Sequence, residues 1–158
     1  MREYTLLRPC GKEYADGSLF LQEGRFWGYR FNDALQWRKC LPGELGQHAG
    51  VDIICPVGTP LVSPLFGIII AQGWHPKYGN RIIIRSQEAM INHLGVPCLP
   101  LLTMAHLSKF NHYEGKFLDI GEGIGLSGDT GIVSGPHLHC QLEEHGDVPR
   151  YPMKIKWR

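Results

Sequence analysis

Glycine and proline interrupt this 158-residue chain so often, twenty of one and eleven of the other, that little room is left for a long helix. Both residues end regular elements, so the chain divides into short pieces joined by turns. The pieces are apolar and β-branched. From Pro60 to Arg85, "LVSPLFGIIIAQGW", "HPKYGN" and "RIIIRS" read as strand, turn and strand. Pro64 puts an edge or a bulge in the first of them. "PLLTMAHLS" is another strand, reached through an apolar connection over residues 87–100. "KFLDIGEGIGLSGDTGIVSGP" is turn-rich with short extended parts, "HLHCQLEE" is a last strand, and "NDALQWRKC" suits one short helix capped by Asn32. The expected fold class is all-β, a mostly antiparallel sheet domain.

One domain, 1–158, is expected, since a chain of this length buries a core without staples. A net charge of +1 argues against strong attraction to nucleic acid or to an anionic membrane. No apolar run approaches the roughly 18 residues of a membrane span, and the first residues show no apolar signal segment. Five scattered cysteines, Cys10, Cys40, Cys55, Cys98 and Cys140, suit free thiols made in a reducing compartment. A Cys10–Cys40 pair is the alternative.

The chemistry concentrates in "SGPHLHCQL". In a strand, residues two apart share a face, so His137 and His139 project side by side, roughly 6–7 Å apart at their backbones. Cys140 then faces the core. "QHAGVDIIC" adds His48 and Asp52; if extended, positions 48, 50 and 52 share a face, and Gly50 leaves room between the two side chains. Alone, that spacing fits a surface histidine and a turn aspartate better. "TMAHLS" adds His106 in an apolar context, which alone reads as a buried structural histidine. Together they change the weighing. A catalytic zinc site takes three protein ligands and keeps one open position. His48, Asp52 and one histidine of the HLH pair supply three, leaving His106 and the other for proton transfer.

"HAGVD", "TMAHLS" and "GLSGDTGIVSGPHLH", in that order, resemble the lysostaphin-type zinc endopeptidases that cut peptidoglycan peptides. The likeness covers about residues 46–145, including "PVGTPLV" and "YGNRIII". It implies an all-β fold with a zinc-containing groove, one Zn2+ per chain held by His48, Asp52 and His139, and a catalytic pair His106 and His137 whose division of labour stays open. It also implies a peptidoglycan peptide as substrate, with a monomer as the expected state. Residues 1–45 are a lead-in without a match, 46–145 the catalytic core and 146–158 a C-terminal tail. A non-catalytic zinc-bearing module that binds the wall or builds a virion is the alternative, and a zinc peptidase with a protein substrate is a third reading. Action at the bacterial wall without a signal suits a phage lysin or a virion-associated enzyme.

Two patterns are decoys. Gly123, Gly125 and Gly128 spell G-x-G-x-x-G, but no helix can follow through "DTGIVSGP". "DTG" at Asp129 imitates an aspartic protease triplet, whose chemistry needs two such carboxylates. His75, His93, His112 and His145 are expected at the surface, and Trp27, Trp37, Trp74 and Trp157 in packing roles.

Overall fold

The long apolar runs meet because their alternate side chains share one core. The protein is described by a computed structural model over residues 2–31, 37–144 and 151–158, and these contain strands and turns but no helix. The first strands are β1 (Glu3–Leu6), β2 (Glu23–Gly24), β3 (Tyr29–Phe31), β4 (Trp37–Lys39) and β5 (Gly46–Gln47). Next come β6 (Val51–Ile53), β7 (Pro60–Val62), β8 (Gly67–His75), β9 (Gly79–Ser86), β10 (Met90–Ile91) and β11 (Pro97–Cys98). The last are β12 (Leu101–Phe110), β13 (Phe117–Leu118), β14 (Gly123–Ser127), β15 (Leu138–Glu143) and β16 (Pro152–Trp157).

A ten-stranded sheet runs β1-β16-β15-β12-β9-β8-β13, with β6 beside β15 and β14 between β12 and β7. Its pairings are antiparallel except that of β1 with β16. β12 is buried from Leu101 to Leu107 because β9 and β15 flank it. On β15 the two-residue period sends Leu138, Cys140 and Leu142 into the core with Ile82, Ile84, Leu102 and Met104. Each large aliphatic side chain buried there contributes roughly 1.5–3 kcal/mol. The other face of β15 carries His139, Gln141 and Glu143. No helix among the described residues is long and apolar enough to cross a membrane.

Several expectations change. The first strand of the expected hairpin is broken at Pro64: β8 pairs with β9, whereas β7 pairs with β14. Of the expected helix over "NDALQWRKC", residues 32–36 lie outside the described residues, and Trp37–Lys39 is a strand paired with Tyr29–Phe31. Cross-strand pairing and the packing of Trp37 on Phe31, 5.7 Å between ring centroids, override local helix propensity. The connection 87–100 folds into the β10–β11 hairpin. Its polar contacts run to Arg2, Tyr4 and Glu144, at the end of the sheet away from His106. In the stretch expected as a tail, β16 bridges β15 to β1.

Cys10 packs against the cluster that holds Cys55 rather than pairing with Cys40. Trp74 is 65% exposed. His93 is at the surface as expected, stacked on Tyr151 and bonded to Glu144, and His145 lies outside the described residues.

Candidate metal centre

His48 and Asp52 reach the same point across a bend. β5 ends at Gln47 and β6 starts at Val51, so the extended run expected from residue 48 is broken at 48–50. Gly50 makes room for backbone rather than for its neighbours' side chains. A Cβ there would stand 2.1 Å from the carbonyl oxygen of Cys140 on β15. That close approach lets β6 pair with β15, which sets Asp52 opposite His139.

Three atoms converge. His48 Nε2 is 3.0 Å from His139 Nδ1, His139 Nδ1 is 2.9 Å from Asp52 Oδ1, and His48 Nε2 is 3.3 Å from Asp52 Oδ1. Ligands about 2.0–2.1 Å from a tetrahedral zinc stand roughly 3.3 Å apart, so the spacing fits. The far ring nitrogens supply a second test. His48 Nδ1 lies 3.2 Å from the Leu19 carbonyl and His139 Nε2 3.0 Å from Gln141 Oε1, both acceptors. In the neutral rings those nitrogens carry the hydrogens, leaving two nitrogen lone pairs and a carboxylate oxygen facing one another. A cation relieves that repulsion, so the donor set fits a divalent metal. Among the described residues His48, Asp52 and His139 form the group able to hold one.

His106 and His137 face the same space from the other side. His106 sits where β12 changes partner, at a register shift against β9 between Met104 and Leu107. Its backbone is left-handed, φ 66, and its N–H donates to the Tyr78 carbonyl at 2.8 Å. Such bulges re-aim a side chain. The His106 ring donates from Nδ1 to the Thr130 carbonyl at 2.7 Å, and the His137 ring from Nδ1 to the Gly135 carbonyl at 2.9 Å. Each neutral ring thus presents a bare Nε2. The two rings are 4.8 Å apart, and His137 Nε2 is 3.8 Å from Asp52 Oδ2. His137 precedes β15 by one residue instead of lying within the strand beside His139. Burial pushes the His106 imidazole down to about 4, so it is neutral at ordinary pH.

The structure therefore brings together all five residues singled out from the sequence. It adds groups the sequence reading passed over. Trp27 stacks on His48 at 4.9 Å, so the lead-in supplies both a ring and the Leu19 carbonyl to one candidate ligand. Tyr78, read only as a turn residue, stacks on His139 at 5.8 Å. Thr130, in the "DTG" decoy, accepts the Asn80 N–H and donates to the Leu107 carbonyl, which fixes the carbonyl that His106 uses. "YGN" and "TG" were signals; nothing local marks Leu19 or Trp27.

Comparison with known proteins gives matches over most of the chain. Residues 46–150 match Peptidase family M23. The chain is 35% identical over 130 residues to the DD-carboxypeptidase/endopeptidase Mpg of Neisseria meningitidis, covering 82% of this chain and 26% of Mpg. It is 34% identical over 103 residues to the peptidoglycan DD-endopeptidase ShyA of Vibrio cholerae, covering 65% and 22%. The catalytic domain of lysostaphin from Staphylococcus simulans superposes with a TM-score of 0.62 at 28% identity, covering 90% of this chain and 89% of that domain. The chain thus spans about a quarter of the length of the full-length relatives it matches.

Proposed function

Since the chain belongs to peptidase family M23, we propose that it is a zinc-dependent endopeptidase that hydrolyses peptide bonds in the cross-links or stem peptides of peptidoglycan, at the bacterial cell wall. His48, Asp52 and His139 hold the metal; His106 and His137 act on the substrate. One observation carries the reading: three lone-pair donors meet within 3.3 Å, and two imidazoles with bare Nε2 atoms border them. A zinc ion held by His48, Asp52 and His139 would polarise the scissile carbonyl and lower the pKa of a water to about 7. The bare Nε2 of one uncoordinated ring accepts the proton of the attacking water. Either ring, once protonated at Nε2, hydrogen-bonds the developing oxyanion or protonates the leaving amine. Their Nδ1–H bonds to Thr130 and Gly135 hold both rings in the tautomer this work requires. All five groups come from one chain, which supports a monomer as the working unit.

The test is mass analysis of muropeptides released from purified peptidoglycan. The zinc-loaded protein should create new amine termini, a chelator should abolish them, and added zinc should restore them. Zinc-loaded protein that binds the wall and releases nothing would refute hydrolysis and support a binding module.

A further inference from the structure

His139, Gln141 and Glu143 lie on one face of β15, opposite Leu138, Cys140 and Leu142 in the core. They form a chain of hydrogen bonds. Gln141 Nε2 donates to Glu143 Oε1 at 2.7 Å, and Gln141 Oε1 stands 3.0 Å from His139 Nε2 and 3.3 Å from the Tyr78 hydroxyl. The direction of this chain follows from its last member. An ionised carboxylate only accepts, so it fixes the amide with nitrogen towards Glu143 and oxygen towards His139. That oxygen in turn only accepts, so it favours a hydrogen on His139 Nε2, in competition with Asp52 Oδ1, which at 2.9 Å would take one from Nδ1 when no cation stands between them. With the hydrogen on Nε2, the neutral ring has its lone pair on Nδ1, the atom 2.9 Å from Asp52 Oδ1 and 3.0 Å from His48 Nε2.

We propose that Gln141, oriented by Glu143, is a positioning residue that sets the tautomer and ring orientation of His139 and so pre-forms the metal centre. The inference rests on the metal-site reading above. The Tyr78 hydroxyl donates to the same oxygen while its ring stacks on His139, so the ring is held by an edge contact and a face contact at once. No other protein group reaches His139 Nε2 among the described residues, so deleting the amide oxygen leaves either tautomer open to the ring. Partners of this kind typically change metal affinity 10- to 100-fold.

Two readouts other than activity test it. In the metal-free protein above pH 7.5, nitrogen-15 NMR of the histidines should find His139 as the Nε2–H tautomer, and Gln141→Leu should mix the two tautomers. In competition with a chromophoric chelator, Gln141→Leu and Glu143→Leu should each bind zinc 10- to 100-fold more weakly. Glu143→Gln, which keeps an acceptor oxygen, should recover much of the loss, although its charge and not its packing has changed. If the Leu variants fold and hold zinc as tightly as the wild type, or if His139 in the wild type is Nδ1–H, the proposal is overturned while the metal reading stands. A wild-type protein that takes up no zinc overturns the metal reading itself.

Discussion

His106 keeps a left-handed backbone at φ 66, which costs a non-glycine residue about 1–2 kcal/mol. Glycine escapes that cost, so His106→Gly should be about 1 kcal/mol more stable than His106→Ala in denaturant titrations. Both should lose 10²–10⁴-fold in kcat while binding zinc as the wild type does. Wild-type turnover in either variant would remove His106 from the catalytic pair. The same ring predicts a pH dependence. Burial lowers its pKa to about 4 from 6.5, so between those values the unfolded chain binds more protons than the folded one. Its contribution to stability is therefore present above pH 6.5 and is lost as pH falls towards 4. Unfolding of the metal-free protein, compared with His106→Gln from pH 7 to 4, should show the wild type losing more stability on acidification; parallel curves would contradict the assignment.

At the scale of elements, the centre depends on how closely β6 approaches β15. A Cβ at residue 50 meets a backbone oxygen at 2.1 Å, and backbone has little room to yield. Gly50→Ala should lower stability by roughly 1–3 kcal/mol, as overpacking does, and should weaken zinc binding by separating Asp52 from His139. An unchanged Tm together with unchanged affinity would show that β6 tolerates the displacement. Thr130→Val removes the acceptor for Asn80 N–H and the donor to the Leu107 carbonyl. It should lower kcat with zinc affinity intact, because it disturbs only the His106 side. The central elements were legible in the sequence: the isoleucine runs of β8 and β9 and the alternation of β15 follow the two-residue period. β4 was not, because Trp37 answers to Phe31 rather than to its sequence neighbours. β1 and β16 alternate as well, but their parallel pairing joins the two ends of the chain, and no turn links them to announce it.

For the whole molecule, the lead-in is part of the centre. It brings Leu19 and Trp27 to His48, and β1 adds a parallel edge to β16. A chain beginning at Gly46 retains every residue of the catalytic motifs, yet it should bind zinc more weakly and melt lower than the full protein. Equal zinc affinity and Tm would show the first 45 residues to be dispensable to the centre. What the residues by themselves determined is the class of fold, the separation of His139 from Cys140 across β15, and the set of groups able to meet a metal. Steric preference and the two-residue period act over a few positions, so a linear reading can follow them. The tertiary structure alone decided which nitrogen of each ring faces the centre. That choice rests on the Leu19, Thr130 and Gly135 carbonyls and on Gln141 Oε1. The first two lie 29 and 24 residues from the rings they hold, and a backbone oxygen leaves no trace in the identity of the side chain beside it.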